Sequence, residues 1–419
     1  MNVVVVVARG LRADMLGCYG NLWISTPNLD ALAASGVLFD AHFADRADPA
    51  GAWRSWLTGR YRFADAEAEY AGEAFHLLEQ LAAKGVATCL VRDVRGPSEE
   101  PVGWDRVVSV ASTEDEEPLD QPLVAAEKAL KKLAKQDGWL LWIELATLLP
   151  PWNAPADFLE SYFQPEAAEA DAYDDEEDEE EEDEDEEEPF EEEMERIEPL
   201  PGPKLGPADA SDDDLYYRLQ STYAAAVSYL DAGIGLVLEK VRALCDDTLF
   251  LVTSDVGLPL GERGIVGVDG SAAHEELIHL PLLVRLPGDA EAGRRVAGLT
   301  QAVDLAPTLA EAFGLHAPDS HGRSLWQLLR GTAEHVRAYA VARAVGWCVR
   351  TPLWAILLPP AETGRKPQLF VKPDDRSEVN DVAQHYLEWV EYLERLLRDF
   401  VEVTKRQGPL DVPALDEVV

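Results

Sequence analysis

The side chains of this sequence that could do acid–base chemistry are two acids associated with apolar runs. Glu144 stands near the end of WLLWIEL, and Asp255 follows TLFLVTS. Because the carboxyl ends of parallel strands line the cleft of an α/β sheet, these residues could act as an acid/base pair, although no spacing rule supports it. Ser55 and Thr58 offer hydroxyls, but the sequence shows no neighbouring base or metal to activate them. The eight histidines form no HxH or HxxxH pattern, so no histidine metal site is predicted.

The elements that must position these acids follow from apolar periodicity. Continuous apolar runs at 3–8, 86–91 and 139–145 are typical of strands buried on both faces. Amphipathic stretches between them predict helices, the longest at 212–244. This alternation predicts an α/β fold, a doubly wound and mainly parallel sheet flanked by helices.

One stretch carries a resemblance to a known family. DPAGAWRSWLTGRY (48–61) resembles the nucleophile segment of the sulfatase family, C-x-P-S-R-x-x-x-x-T-G-R. In that family the opening cysteine or serine becomes formylglycine, whose hydrate attacks the sulfate ester beside a calcium ion. The alignment puts Pro49 at the nucleophile, Gly51 at the proline, Ala52 at the serine and Trp53 at the arginine. Proline has no side-chain nucleophile, so the resemblance implies the fold without this chemistry.

Two further stretches resemble the metal-binding segments of the same family. RGLRADMLGCYG is similar to the family's opening DDLRADHLGCYG, with Arg9 and Gly10 at the two metal-binding acids. TSDVG is similar to TSDHG, which retains Asp255 and replaces its partner by Val256. Of four acid or amide ligands that the family uses, only Asp255 remains. Calcium needs several anionic oxygens, so we expect a degraded calcium site and no cofactor.

The family's proton donors are also replaced. In the segment that resembles D-P-H-x-P, Thr147, Leu148 and Leu149 stand where the aspartate and histidine would lie, and leucine cannot transfer a proton. GERG matches the family's GEHG with Arg263 for histidine, and Val268 lies near the position of the lysine that touches the sulfate.

Three arginines remain as possible contacts to an anion: Arg9, Arg54 and Arg92. Arg54 could substitute for the family arginine one residue earlier in the motif. Arg92 follows a predicted strand near the family's Gly-Lys-x-His. The alternative interpretation of Arg92, a solvated loop arginine, is favoured by the usual exposure of this residue type.

The resemblance spans residues 2–380 approximately, with its motifs in family order. The segments 25–36 and 275–288 match family stretches closely, 303–315 and 322–331 match its packing elements, and Asp231 matches an aspartate that is usually structural. We predict a sulfatase-like domain over 1–333, with a short helix capped by Thr26 in the first of these segments. A small C-terminal subdomain over 334–419 is predicted to hold short strands and a final helix at about 380–405.

The charge of this chain is large and unevenly placed. The net charge is −43; residues 166–198 hold 23 Asp and Glu against one Arg, a net −22, which leaves −21 for the rest. An acidic chain does not suit nucleic-acid binding. The run from 174 to 188 is entirely acidic and predicts a disordered insertion. It is either a solubilising loop, or a docking arm for a basic partner or a loose cation-binding segment.

Sequence features also bear on location. The start MNVVVVVARG has no basic leader and is typical of a first strand. Many sulfatases are exported, so this start predicts a cytoplasmic protein. The sequence contains no run of about 18 apolar residues, so no membrane span is predicted. The four scattered cysteines predict free thiols.

Three hypotheses follow. The first is a sulfatase-fold pseudoenzyme that acts by binding. The second is a sulfate- or phosphate-ester hydrolase with a rebuilt active site. The third is an electrostatic role in which the fold carries the acidic segment.

Overall fold

The apolar β-branched runs of the sequence form the centre of a large mixed sheet. In the computed structural model, MNVVVVVA and WLLWIEL become neighbouring parallel strands with every residue from Val3 to Ala8 fully buried. Such runs are suited to strands covered by helices on both faces. The structure describes residues 1–63, 76–95, 102–111, 117–163, 197–209, 211–406, 410 and 412–415.

Over these residues the strands, in chain order, are β1 (Asn2–Ala8), β2 (Val37–Phe39), β3 (His42–Phe43), β4 (Ala87–Asp93), β5 (Arg106–Val110), β6 (Trp139–Leu145), β7 (Gly206–Pro207), β8 (Thr248–Thr253), β9 (Ile265–Val266), β10 (His279–Leu280), β11 (Leu282–Arg285), β12 (Arg294–Val296), β13 (Thr300–Gln301), β14 (Ala340–Ala344), β15 (Gly346–Arg350), β16 (Trp354–Leu358) and β17 (Gln368–Val371). The α-helices are α1 (Pro27–Ala34), α2 (Pro49–Thr58), α3 (Leu77–Ala83), α4 (Asp120–Leu133), α5 (Ala156–Glu160), α6 (Asp213–Leu244), α7 (Glu275–Ile278), α8 (Leu305–Ala312), α9 (Trp326–Leu329) and α10 (Leu387–Thr404).

The main sheet has the strand order β12-β2-β11-β8-β1-β6-β4-β5. From β8 to β5 all pairs are parallel, whereas β11 runs antiparallel to both β8 and β2. The predicted α/β class and mainly parallel sheet are therefore confirmed. Because β8, β1, β6 and β4 are consecutive and parallel, their carboxyl ends meet at one edge of the sheet.

Helices cover both faces of this sheet, and the alternation along β1 divides the core. Val4 and Val6 belong to the apolar layer that contains α4 and α6, while Val3, Val5 and Val7 belong to the layer of α2, α3 and α8. Among the described helices, α6 is long and apolar enough to cross a membrane, but 83% of its apolar 18-residue stretch is buried inside this protein. The core helix of a soluble protein can be equally long and apolar, so α6 is only weak evidence for a membrane span.

A buried carboxylate on α6 sets the start of α1. Asp231 accepts hydrogen bonds from the backbone N–H groups of Asn28 (3.1 Å) and Leu29 (2.7 Å) and from the Asn28 side chain (2.7 Å). The structural role predicted for Asp231 is thus confirmed. Thr26 was predicted to cap α1 and does not: its hydroxyl instead accepts from the Gly17 N–H, because Asp231 already serves the first turn.

The C-terminal part contains an antiparallel sheet in the order β14-β15-β16-β17, covered on one side by α10. The final helix begins at Leu387, later than predicted, because a 3₁₀ turn at Ala383–His385 precedes it. The apolar stretch 37–44 forms two strands, β2 and β3, which join different sheets. The predicted boundary at 333 stays a prediction.

Some sequence predictions lie outside the described residues. Residues 164–196, which hold nearly all of the acidic segment, belong to this part. The four cysteines are described, and all are free thiols, as predicted.

Candidate functional site

The carboxyl edge of the main sheet brings together four charged side chains that are far apart in the sequence. Arg9 follows β1 directly, Arg92 and Glu144 lie near the ends of β4 and β6, and Asp255 lies two residues after β8. Each of these residues is at most 6% exposed. Buried charges require partners, and here each finds one of opposite sign on a neighbouring strand.

Arg9 and Asp255 form the central ion pair of this edge. The Arg9 Nε lies 3.1 Å from the Asp255 Oδ2. The other carboxylate oxygen, Oδ1, accepts from the backbone N–H groups of Gly10 at 3.0 Å and Val256 at 2.8 Å. The Arg9 Nη1 donates to the Arg95 carbonyl oxygen at 3.2 Å. Both oxygens of Asp255 are thus occupied by hydrogen-bond donors.

This donor set does not fit a divalent cation. Calcium takes six to eight oxygen ligands, several of them anionic. At this edge the one carboxylate that the resemblance assigns to the metal already binds a guanidinium and two N–H groups. A calcium ion there would lie against the positive charge of Arg9, at large electrostatic cost.

Glu144 is the second acid of the edge. Its Oε2 lies 4.0 Å from the Arg92 Nε, and the Trp53 side chain donates a hydrogen bond to it. Burial raises the pKa of Glu144 to about 7, even though the positive charges of Arg9 and Arg92 lower it; the charge of Asp255 adds to the rise. A carboxyl group with this pKa can exchange a proton near neutral pH.

The prediction that favoured Arg92 as a solvated loop residue is wrong. Arg92 lies inside β4 and is 6% exposed, because β5 and β6 extend the sheet on both of its sides. Arg54 is half-buried on α2, one residue after Trp53. Consecutive helical residues point about 100° apart, so Arg54 leaves the face that Trp53 occupies. Contact of Arg9, Arg54 or Arg92 with an anion stays a prediction.

Aromatic side chains cover the position of the family arginine. The Trp53 ring stacks on Trp142 at 5.5 Å between centroids, and Trp104 meets Trp53 edge-on at 6.2 Å. Trp56 lies 5.5 Å from Trp142. Trp53 replaces a cation by a large apolar surface that packs within the fold.

The nucleophile and proton-donor positions are equally without reactive groups. Pro49 is the first residue of α2, where a missing N–H costs nothing, and Asp48 caps this helix by accepting from the Gly51 N–H at 2.6 Å. A Cβ placed on Gly10 would lie 3.6 Å from the Leu149 Cδ2. An aliphatic side chain therefore faces Gly10 where the resemblance expects a metal-binding acid.

The expectation that no base lies beside these hydroxyls is wrong for Ser55. Ser55 does have a neighbouring base: its Oγ donates to the Asp45 Oδ2 at 2.7 Å, and burial raises the pKa of Asp45 to about 7. A hydroxyl beside a carboxylate is the arrangement of an activated nucleophile. However, Ser55 is 1% and Asp45 is 0% exposed, so a substrate cannot reach the pair in this structure. Sequence analysis missed Asp45 because it precedes α2 and matches no motif position.

Arg263 and Thr58 are both engaged in contacts within the fold. Arg263 pairs with Glu276 at 3.2 Å and donates to the Ser377 carbonyl oxygen at 2.6 Å, which directs it to the C-terminal part. The Thr58 hydroxyl donates to the Arg54 carbonyl oxygen at 2.7 Å within α2. Neither is free to act as a catalytic group in this conformation.

Comparison with known proteins agrees with the fold. The family described as Sulfatase matches residues 1–315. The chain is 27% identical to steryl-sulfatase of Mus musculus, over 84% of this chain and 70% of the relative, and 25% identical to iduronate 2-sulfatase of Homo sapiens, over 76% and 70%.

Solved structures show the same architecture. The phosphonate monoester hydrolase of Agrobacterium radiobacter superimposes with a TM-score of 0.72 at 20% identity, covering 97% of this chain and 96% of that chain. A protein solved with its substrate D-glucosamine-2-N,6-O-disulfate superimposes with a TM-score of 0.71 at 20% identity, covering 96% and 98%.

Proposed function

This chain belongs to the sulfatase family, and from that premise we propose that it has lost sulfuric-ester hydrolysis and acts by binding. In this proposal it is a cytoplasmic pseudoenzyme, a protein that keeps the fold of its relatives and recognises a ligand or partner without turnover.

The observation that carries the proposal is the buried Arg9–Asp255 ion pair. The guanidinium occupies the carboxylate that the resemblance assigns to the metal, with 3.1 Å between Nε and Oδ2. Without a divalent ion, no Lewis acid is available to polarise a sulfate oxygen or to activate a nucleophile. An ion could approach Asp255 only if the Arg9 guanidinium left this carboxylate.

The remaining positions support the same proposal. Pro49 offers no nucleophile, Trp53 offers no cation, and Leu149 offers no proton. A neighbouring residue that repaired one of these losses would still face an edge whose charges are already paired.

A second candidate function is a hydrolase of sulfate or phosphate esters with a rebuilt site. One observation favours it: Glu144 has a pKa of about 7 and lies at the edge where the carboxyl ends of four parallel strands meet. Under this alternative Glu144 would be the general acid or base, and Arg9 and Arg92 would hold the anion. Relatives include hydrolases of both sulfate and phosphonate esters.

The acidic segment 166–198 is proposed as a contact arm for a basic protein partner. Its net charge of −22 would attract such a partner over a distance of about one Debye length, near 10 Å at 0.1 M salt. We expect deletion of the segment to weaken binding of the partner but not to abolish it. Complete loss on deletion would favour the third hypothesis, in which the fold only carries the acidic segment.

The proposal is tested by turnover of 4-nitrophenyl sulfate, 4-nitrophenyl phosphate and 4-nitrophenyl phenylphosphonate by the full chain, with and without added Ca²⁺. We expect no turnover above that of the Asp255→Ala and Glu144→Gln variants. Robust turnover that both substitutions abolish would overturn the proposal and establish the rebuilt hydrolase.

Metal content provides a second test. Because the acidic segment can scavenge ions, bound Ca²⁺ is compared between the wild-type protein and Asp255→Ala after equilibrium dialysis. Equal content in the two proteins is expected, since ions held by the acidic segment do not depend on Asp255. One Ca²⁺ per chain that is lost in Asp255→Ala would contradict our assignment.

A further inference from the structure

A cavity of about 510 Å³ lies between the chain that follows β8 and the C-terminal sheet. One wall comes from residues 259–276, and the other comes from β15, β16 and the turn that leads to β17. The described lining does not include Arg9, Arg92, Glu144 or Asp255. The cavity is therefore distinct from the sheet edge described above.

Positive charge is concentrated in this cavity, although the chain is strongly acidic. Arg263, Arg365 and Lys366 all line it, and Glu276 is the one carboxylate among its described lining residues. Within the described part of the chain, Arg365 and Lys366 form no ion pair with an acid. Three cations against one carboxylate, in a chain of net charge −43, make a local site of positive potential.

The position of Arg263 is set before a ligand arrives. Its Nε lies 3.2 Å from the Glu276 Oε1, and its Nη2 donates to the Ser377 carbonyl oxygen at 2.6 Å. Among the described residues these contacts leave Nη1 for a ligand. A guanidinium that is held in this way presents its remaining donors at little entropic cost.

His274 also lines the cavity, and its ring is held by a buried carboxylate, Glu378. Its Nδ1 lies 2.6 Å from the Glu378 Oε2. Burial alone would raise the pKa of Glu378, but the hydrogen bond from His274 and the charge of Lys372 lower it, so the carboxylate is ionised and Nδ1 is the donor. The Lys372 Nζ lies 3.2 Å from the Glu378 Oε1. Nε2 is then the ring nitrogen of His274 that remains for a ligand.

These contacts also argue against a metal ion at His274, Glu276 and Glu378, whose ligand atoms lie within 4.8 Å of one another. A buried ammonium group already neutralises Glu378, and a divalent ion would have to displace Lys372, whose side chain is 1% exposed. The cluster is charge-compensated within the chain.

Apart from the turn that carries Arg365 and Lys366, the second wall of the cavity is largely apolar. Trp347, Leu357, Leu358 and Pro360 contribute to it. Small-molecule sites measure about 300–1,000 Å³ and combine an apolar lining with a few polar groups, and this cavity fits both criteria.

We propose that this cavity binds a small molecule in which a tetrahedral oxyanion, phosphate or sulfate, is attached to an apolar ring. Arg263, Arg365 and Lys366 contact the oxyanion, and the wall around Trp347 covers the ring. Arginine forks and lysine ammonium groups are the usual protein donors to such anions. The site does not depend on whether the sheet edge retains catalysis.

The test is isothermal titration calorimetry of the full chain with phenylphosphonate and with benzenesulfonate, which have no ester bond to be hydrolysed, in the presence of EDTA. Inorganic phosphate and sulfate serve as ring-free ligands. We expect saturable binding of at least one ring-bearing anion, tighter than that of its ring-free counterpart. The better of the two identifies which oxyanion the site prefers.

The decisive variant is Arg365→Gln/Lys366→Gln, because both residues are exposed on the turn before β17, where loss of the charge leaves no buried group unpaired. The matched control is Lys128→Gln/Lys135→Gln, which removes the same charge from two exposed residues, one on α4 and one just after it. We expect about tenfold or greater weakening in the first variant and none in the control. Equal weakening in both variants, or no saturable binding by the wild type, would each overturn the proposal.

Discussion

At the scale of single residues, the most consequential feature is the internal cation that pairs with the carboxylate which the resemblance assigns to a metal. Arg9 neutralises Asp255 from 246 residues away in the sequence, and both side chains are at most 5% exposed. Neither charge could be buried alone, because the desolvation of an isolated ion costs several kcal/mol. Removal of either partner should therefore destabilise the folded protein.

We predict that Arg9→Gln destabilises the folded protein by about 3–5 kcal/mol, because it leaves a buried carboxylate without its counter-charge. Urea unfolding followed by far-UV circular dichroism measures this free energy. The double variant Arg9→Gln/Asp255→Asn should be more stable than Arg9→Gln alone, since it removes the uncompensated charge. If the two substitutions have simply additive effects, the pair is not coupled as described.

Glu144 makes stability depend on pH. Its pKa is raised from an ordinary 4.5 to about 7 by burial. Between these values the folded state holds a proton that the unfolded state has released, so the free energy of unfolding decreases as pH rises through the window. A single group contributes a slope of at most about 1.4 kcal/mol per pH unit. This contribution is complete below pH 4.5 and lost above pH 7.

We predict that Glu144→Gln flattens the pH dependence of the free energy of unfolding between pH 4.5 and 7. Asp45 has a pKa of about 7 for the same reason, so Asp45→Asn should remove a separate share of the slope. Urea titrations at a series of pH values measure both effects. An unchanged slope in Glu144→Gln would show that this side chain does not titrate in the window.

At the scale of secondary-structure elements, α6 organises the layer on one side of the sheet. It buries Tyr223 and Leu230 in that layer. Asp231 on the same helix accepts hydrogen bonds from backbone N–H groups in the first turn of α1. The Tyr223 hydroxyl also donates to the Gly10 carbonyl oxygen at 2.7 Å, which ties α6 to the candidate site. One helix thus connects the start of α1 with the edge where the charges meet.

We predict that Asp231→Ala destabilises the protein by about 1–3 kcal/mol, because the N–H groups of Asn28 and Leu29 lose a buried acceptor. Asp231→Asn, which keeps one oxygen, should cost less. Asp212→Ala at the exposed N-cap of α6 is the matched comparison, with an expected loss of about 1 kcal/mol. Thermal and urea unfolding of the three variants decide the order. A larger loss in Asp212→Ala would contradict the structural role of Asp231.

At the scale of the whole molecule, a buried charge cluster joins the C-terminal part to the main sheet. Lys372 lies 3.0 Å from Glu275 at the start of α7, and Arg350 on β15 lies 3.2 Å from the same carboxylate. Both cations come from the C-terminal part, and the acid comes from the chain that follows β8. The cavity proposed to bind an oxyanion lies next to this junction.

Net charge is the other property of the whole chain. At a net charge of −43 the negative charges within the folded protein repel one another, and added salt screens this repulsion. We predict that the Tm rises with NaCl concentration and that deletion of 166–198, which removes −22, reduces this rise. Differential scanning calorimetry of both proteins measures it. An identical salt dependence would mean that the acidic segment does not contribute to the repulsion within the fold.

Local sequence was sufficient for the fold and for part of the site. The apolar runs predicted β1 and β6, and the motif frame predicted the family, because both depend on residue types at short spacing. The absence of a nucleophile at Pro49 and of a proton donor at Leu149 also follows from residue identity, since no environment gives these side chains a transferable proton.

The tertiary structure decided which charges meet. The Arg9–Asp255 pair, the burial of Arg92 and the Ser55–Asp45 hydrogen bond depend on strand order and on packing between distant segments. The pKa of Glu144 depends on burial and on charges that come from three other strands. Such quantities are sums over neighbours in space, so they could not be obtained from neighbours along the chain.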